Sequence, residues 1–404
     1  MPQMNPGDLY EQVKITRSDG NIPHILIIGG GVSGLTTAWA LCEAGCKVTV
    51  IAKQYSSTRP EKEKIASEMG SGLWEWAPSA SGSSKDAQNE YQNSKRWCQP
   101  TYVKFEELHA KYGADITGIR SRMSCFVFDK NIENIDESAK NKMIEIKEHC
   151  DGFYRGVKHL VRKYNISTVG EKAFDFQDGY EYFSYVVDPK KYLAWLKRNI
   201  EELGVRLLKF EVTGNLLNEG ENLLNMFQAD VLVNCTGLAS VSLCHDTELV
   251  PIRTTLLHSR NDGVRFPMIK SCISVYKHVG ARSEERSRYE IERTIFLIPR
   301  NDKALIMGDN SQMQNNANIL QEIHKNCTRL YPELRNAEPI DYDYHTQQYR
   351  KYPRVGQDKD NSKIFHNYGH GYSRYSLSYG CALDVRKAIR RYFDELDVKL
   401  NSHL

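Results

Sequence analysis

The feature that most limits what this chain can become is the run His24-Ile25-Leu26-Ile27-Ile28-Gly29-Gly30-Gly31-Val32-Ser33-Gly34-Leu35-Thr36-Thr37-Ala38-Trp39-Ala40-Leu41. Apolar, β-branched residues enter a G-x-G-x-x-G turn and an apolar helical pattern leaves it, which reads as buried parallel strand, phosphate turn and helix. Gly29 permits the sharp turn, Gly31 lets the backbone N–H groups of the Val32-Ser33 step approach a pyrophosphate, and Gly34 lets the helix lie close to the strand. The helix N-terminus then offers partial positive charge to the phosphates. Lys47-Val48-Thr49-Val50-Ile51 follows at the length a βαβ unit needs, so the expected ligand is a dinucleotide. The second strand ends in Ala52-Lys53, with no Asp or Glu for the ribose hydroxyls. Either Lys53 serves the adenosine end or backbone groups do.

A chain of 404 residues can bury two sizeable cores. No apolar run approaches the roughly 20 residues that cross a bilayer, and a formal charge of +3 with interleaved signs argues against a nucleic-acid partner. The ten cysteines are scattered without metal-ligand spacing, which predicts reduced thiols and no metal site. The segment before the first strand carries Pro, Asp, Glu, Lys and Arg and lacks the apolar core of a secretory signal, so an intracellular protein is expected.

Along the chain, 54–68 reads as a surface loop, and Met69 to Pro78 places small residues before two tryptophans, Trp74 and Trp76. That pattern suits either backbone approaching a flat ring or a glycine turn feeding core tryptophans. The stretch 79–92 reads as a mobile loop, and 91–112 and 137–163 as helices with solvated charged faces. Tyr180 to Val187 reads as a strand, and Asp188-Pro189 caps a helix that runs to Leu203 and stops at Gly204. Strands at 205–210 and 229–237 return to the nucleotide domain, which is therefore discontinuous. Strand-like alternation over 251–277 precedes a charged run at 279–293, a solvated loop by default and a lid in an enzyme. Residues 295–299 and 304–308 read as a hairpin.

The segment His366-Asn367-Tyr368-Gly369-His370-Gly371, followed by a helix containing Gly380-Cys381-Ala382, resembles the signature of the D-amino acid oxidases. The resemblance extends to the glycine-rich start, Gly72-Leu73-Trp74, Asn234-Cys235-Thr236-Gly237, Leu297-Ile298-Pro299 and the Ser402-His403-Leu404 end, in family order. It implies an α/β fold: a discontinuous Rossmann-like FAD-binding domain (20–90, 188–250 and 345–400) and a second, α+β substrate domain (91–187 and 251–344) on a mostly antiparallel sheet, with 401–404 as a targeting tail. It implies FAD held by Gly29, Gly31, Val32, Ser33, Gly34, Lys53, Ser71, Gly72, Leu73, Val212, Thr236, Gly237, Gly371, Arg374, Tyr375 and Ser376. A helix starting near Ser376 would direct its positive end at the pyrimidine side of the flavin, and His366 and His370 are read as holding the turn by hydrogen bonds.

The activity the resemblance implies is oxidation of the Cα–N bond of a D-amino acid, with hydride passing to flavin N5 and O2 reoxidising the flavin to hydrogen peroxide. Position and charge carry that chemistry, without an essential acid or base. The family's carboxylate-gripping arginine is matched by Arg350, with Arg354 as rival. Three departures stand out. Phe296 replaces a tyrosine, the lid tyrosine has only Tyr289 as candidate, and Tyr372 replaces a glycine whose carbonyl receives the amine. A D-amino acid oxidase, a tailoring oxidase of a larger amine or amino acid derivative, and a flavin-binding protein without turnover all remain open, as does a homodimer. Ser402-His403-Leu404 is a close variant of the Ser-Lys-Leu peroxisomal address, which predicts an import receptor as partner and a peroxisomal site, or a cytoplasmic one if the tail is not read.

Overall fold

The computed structural model describes residues 14–17, 19–57, 64–76, 85–134, 137–169, 174–278, 291–309 and 318–401. Strand β1 (His24–Ile28) is buried along its whole length and passes through Gly29, at φ +124°, into helix α1 (Val32–Glu43). Gly45, at φ +84°, reverses the chain into β2 (Lys47–Ala52), which pairs parallel with β1 from His24 opposite Lys47 to Ile28 opposite Ile51. The βαβ unit forms as the apolar spacing requires.

The chain then leaves through helix α2 (Lys85–Tyr112), β3 (Ile119–Phe128), α3 (Glu137–His149), β4 (Tyr154–Arg155), α4 (Val157–Lys163) and β5 (Asp178–Val187). It returns through α5 (Pro189–Glu202), β6 (Arg206–Lys209), α6 (Leu216–Phe227) and β7 (Val231–Asn234). A second excursion makes β8 (Val250–Arg260), β9 (Cys272–His278), β10 (Ile291–Pro299), β11 (Ala304–Asp309), helix α7 (Ile319–Leu330) and β12 (Pro339–Gln357). Strand β13 (Ile364–His370) and helix α8 (Ser378–Asn401) complete it.

Among the described residues, the strands join one 13-stranded sheet in the order β4-β5-β3-β9-β10-β11-β8-β12-β13-β7-β1-β2-β6. From β13 to β6 the pairing is parallel, as helical crossovers demand, with β1 between β7 and β2. From β4 to β13 it is antiparallel except between β3 and β9. The long strand β12 pairs with β8 over its first half and with β13 over its second, so it carries the sheet from one region into the other.

Alternation along the antiparallel strands separates two cores. Ile295, Leu297, Met307 and Leu257 pack on α7 through Ile323, Cys327 and Leu330, while Phe296, Ile298, Ile306 and Leu256 face the cluster that holds Ile25, Ile27 and Leu35. In α8, a Cβ at Gly380 would stand 2.1 Å from the Trp97 carbonyl oxygen, so glycine there lets α8 lie directly on α2.

Two sequence expectations are corrected. The helix expected over 137–163 is two helices split by β4, because Gly152 takes φ +71° and Phe183 N–H bonds the Asp151 carbonyl, drawing the chain onto the sheet. The loop expected over 79–92 is helical from Lys85, as the first turns of α2, while 79–84 lie outside the described residues. Asp188 caps α5 by accepting the Lys191 N–H at 3.5 Å, with Pro189 in the first turn. The cysteines within the described residues are all reduced.

Candidate flavin site

The glycine turn is built for close approach. A Cβ at Gly29 would lie 2.4 Å from the Cys235 carbonyl oxygen, and one at Gly34 would lie 1.9 Å from the Gly29 carbonyl oxygen. Only hydrogen fits at either point. A Cβ at Gly31 would lie 2.8 Å from Ser67 Oγ, which accepts the Val32 N–H at 3.0 Å. The first turn of α1 holds no acidic residue and its N-cap makes no side-chain bond, so the helix dipole is left for a ligand. Ser33 Oγ lies 3.5 Å from His370 Nδ1, and His370 Nε2 is buried without a partner.

Three further segments meet this turn. Residues 65–76 are clamped along the end of β5: Gly72, at φ +75°, accepts the Val187 N–H at 2.8 Å, Leu73 bridges Val186, and Trp74 N–H bonds the Tyr185 carbonyl at 2.7 Å. Trp74 and Trp76 are fully buried at 6.0 Å between ring centroids, which assigns them to the core. Ser71 precedes them at the start of this clamped stretch. At the end of β7, Asn234 Oδ1 accepts from the Thr236 N–H at 3.0 Å and the Thr236 hydroxyl at 2.7 Å, and Gly237 takes φ +64° against the Gln348 side chain.

The segment after β13 ties to the 65–76 stretch. Gly371 sits at φ +54°, Tyr375 Oη donates to the Ser67 carbonyl at 2.5 Å, Arg374 Nη1 donates to the Ala66 carbonyl, and Ser376 Oγ accepts the Glu75 N–H at 3.2 Å. Helix α8 starts at Ser378, two residues beyond the expected Ser376. Gly29 to Gly34, Ser71 to Leu73, Thr236-Gly237 and Gly371 to Ser376 therefore border one cradle.

At the adenosine end, Lys53 is exposed and pairs with Glu211 at 2.7 Å, beside Val212. Tyr55, which sequence reasoning missed, packs its ring where a Cβ of Gly30 would come within 2.5 Å, and its hydroxyl donates to the Val50 carbonyl at 2.8 Å. Ser67 was missed as well, since a serine in a polar loop carries no local signal.

On the antiparallel strands, Phe296 belongs to the face that packs into the core shared with Ile25, Ile27 and Leu35. Phe296 is buried with its ring over Gly308, whose added Cβ would lie 2.0 Å from Phe296 Cζ, and Ser274 stands opposite Phe296 on β9 with a buried, unpartnered hydroxyl. Tyr372 is 45% exposed, and the Thr254 hydroxyl donates to its hydroxyl at 3.5 Å. Tyr289 lies outside the described residues.

Arg350, the expected carboxylate grip, lies among partners of its own chain. Its Nε donates to Asp246 at 3.0 Å, its Nη1 to the Tyr352 carbonyl at 2.5 Å, and its Nη2 lies 3.3 Å from Glu248. All three nitrogens are engaged, two of them by carboxylates. The rival Arg354 is engaged too, with the Tyr368 hydroxyl at 3.1 Å and Asp358 at 2.7 Å. Tyr368 Oη donates to Asp246 at 2.6 Å, and His366 Nε2 lies 2.8 Å from Asp358, so both arginines belong to one polar network across β12 and β13. Against burial, the Tyr368 hydroxyl and then Arg350 hold Asp246 below the ordinary aspartate range, His366 and the Asp360 and Asn361 N–H groups hold Asp358 below it, and burial pulls His366 down to about 4 against the pull of Asp358.

A glycine turn opening a helix at the end of a parallel strand, with three glycine-bearing segments around it, defines a dinucleotide-binding protein. The family profile "FAD dependent oxidoreductase" (DAO) matches residues 24–387, and the chain belongs to that family. A D-amino acid oxidase of Dugesia ryukyuensis is 23% identical over 91% of this chain and 97% of its own length. D-aspartate oxidase 2 of Caenorhabditis elegans is also 23% identical, over 91% and 97%. Among solved structures, glycine oxidase from Geobacillus kaustophilus superposes with a TM-score of 0.65 at 15% identity, covering 91% of this chain and 94% of that one. Iminodiacetate oxidase from Chelativorans sp. BNC1 gives 0.64 at 16%, covering 90% and 95%. The cofactor is FAD, and the residues fit it: the turn has room only for hydrogen at Gly29 and Gly34, the first turn of α1 holds no acidic residue, and the orphaned His370 nitrogen lies beside Ser33 of that turn. Among the described residues no helix is long and apolar enough to cross a membrane, and no His, Cys, Asp and Glu group could hold a metal.

Proposed function

We propose that this protein oxidises the Cα–N bond of an amino acid or amino acid derivative, releasing an imine and, through O2, hydrogen peroxide. Bound FAD supplies the hydride acceptor and the route of electrons to oxygen. The chain's own residues orient and enclose the reactant. The Gly371–Ser376 segment and the 65–76 segment, fastened to each other at Tyr375, Arg374 and Ser376, fix one side of the pocket, and the Phe296 face of the sheet forms the other. Phe296 excludes water there, and the Tyr372 ring narrows the space toward Thr254.

The observation that carries this reading is the convergence of those two segments on the glycine turn. A D-amino acid is the first substrate class, in line with the relatives' names. The engagement of Arg350 by Asp246 and Glu248 favours a second reading: a larger or modified amine whose recognition does not rest on a free guanidinium at 350. A peroxide-release assay over neutral, acidic and basic D-amino acids, N-substituted glycines and their L-counterparts tests both. Turnover confined to free D-amino acids supports the first reading, turnover confined to N-substituted or larger amines the second, and peroxide from none of them contradicts both. Peroxisomal delivery through Ser402-His403-Leu404 belongs to the same proposal, since a peroxide-forming enzyme has reason to sit beside catalase.

A further inference from the structure

Arg374 carries a positive charge into the interior, and among the described residues no carboxylate meets it. The residue is 6% exposed, and its bonds go to two backbone carbonyls, Nη1 to Ala66 and Nε to Gly371 at 3.4 Å. The groups acting on it are the phenols of Tyr375 and Tyr372 and the imidazole of His370, none of them a carboxylate. The other inward-facing arginines differ. Arg350, Arg354 and Arg155 each bond an aspartate, and Arg300, although it donates to the Gly70 carbonyl, lies in the field of Asp188, Asp341 and Asp343. Guanidinium does not deprotonate in proteins, and a buried unpaired cation costs several kcal/mol. Arg374 is thus a charge waiting for an anion.

The surroundings say which anion. The carbonyl that holds Nη1 belongs to Ala66, and the next residue, Ser67, takes the Val32 N–H at the start of α1. His370, four residues before Arg374 and within its field, lies against Ser33 of the same helix terminus and has a buried Nε2 without a partner. The start of α1, whose Val32 N–H is taken by Ser67 and whose Ser33 lies against the orphaned His370 nitrogen, and the Arg374 guanidinium on Ala66 meet at this one point.

We propose that Arg374 binds the diphosphate of FAD, adding a side-chain charge to the helix dipole and backbone N–H groups of the glycine turn. The proposal rests on the assignment of FAD as cofactor. It makes cofactor retention in this chain depend on a charge-assisted contact supplied from the segment after β13, far in sequence from the turn itself.

The test uses full-length protein from which flavin has been removed, titrated with FAD by flavin fluorescence quenching, and melted with and without inorganic pyrophosphate. In Arg374→Gln the FAD Kd is expected to rise about 100-fold, the loss of a charge-assisted pair. Arg374→Lys, which keeps the charge but loses the planar fork, should recover to within about tenfold of wild type. Pyrophosphate should raise the Tm of the wild-type apoprotein and of Arg374→Lys, and leave that of Arg374→Gln unchanged. An FAD Kd in Arg374→Gln within about threefold of wild type overturns the proposal, as does lost FAD binding with pyrophosphate protection intact. If circular dichroism shows Arg374→Gln unfolded, Arg374→Met, which keeps the apolar stem and removes the charge, takes its place: a folded Arg374→Met that pyrophosphate still protects as it does wild type overturns the proposal. A wild-type chain that binds no FAD fails the cofactor assignment instead, so the two failures are separable.

Discussion

Arg350 Nε lies 3.0 Å from Asp246 Oδ2, a pair closed across 104 residues of sequence and joined on the same oxygen by the Tyr368 hydroxyl at 2.6 Å. Asp246 is buried, so removing either partner strands a charge, at a cost of about 3 kcal/mol. Arg350→Gln and Asp246→Asn should each lower stability by about that amount in urea melts, and the double variant should lose little more than the worse single one. The KM of Arg350→Gln should move less than about threefold. Additive losses, or a KM raised by orders of magnitude in a stably folded Arg350→Gln, would return the guanidinium to the substrate.

Gly34 tests the turn. A Cβ there meets the Gly29 carbonyl at 1.9 Å, and backbone cannot yield as a side chain can, so α1 must move off β1. Gly34→Ala should cost about 3 kcal/mol by overpacking and yield protein with little bound flavin. Absorbance of the purified variant and its Tm decide this, and a normal flavin content would show that the helix does not need that approach.

Gly308 and Phe296 test the wall. Alanine at 308 would drive the Phe296 ring out of place, since their contact is 2.0 Å, whereas flavin is held by other segments. Gly308→Ala should lower stability by about 2 kcal/mol and raise KM while flavin content stays normal. Adding Phe296→Leu should return part of both losses by restoring volume. A Gly308→Ala enzyme with unchanged KM would place Phe296 away from the reactant.

Burial pulls His366 and His370 down to about 4, and His24 shifts in the same direction. In the unfolded chain these imidazoles protonate near 6.5, so between about 6.5 and 4 the unfolded state binds more protons and stability falls as pH falls. Above about 7 the contribution is fully present. Asp246, Asp343 and Asp358, held low in the folded protein, add their loss only below the ordinary carboxylate value of 3.8, in a separate window. Urea melts from pH 8 to pH 4.5 should show this decline, and His366→Asn should flatten it. Stability unchanged between pH 7 and pH 5 would contradict the burial.

What was legible in the sequence was periodic or locally capped. The β1–α1–β2 unit announced itself by apolar runs and three spaced glycines, and α5 by Asp188-Pro189, because both signals lie within a few residues of their effect. The split of 137–163 was hidden, since helical spacing continues on both sides of Gly152 and only the pull of β5 on Asp151 breaks it. The start of α2 was hidden by a polar stretch whose composition suits loop and helix surface alike. At the site, the glycines were readable because their chemistry is steric, but the partners of Arg350 were not, because Asp246 is remote in sequence and is placed by how α6, β7 and β12 pack. Ser67 and Tyr55 act only through contacts that folding creates.

The most direct test of the oxidase reading is the visible spectrum of the purified holoprotein mixed anaerobically with the amino acid and amine panel. The account predicts that at least one amine bleaches the oxidised flavin band, and that admitting O2 restores the band with one peroxide released per flavin. A flavin that dithionite reduces and no amine or amino acid reduces would contradict it.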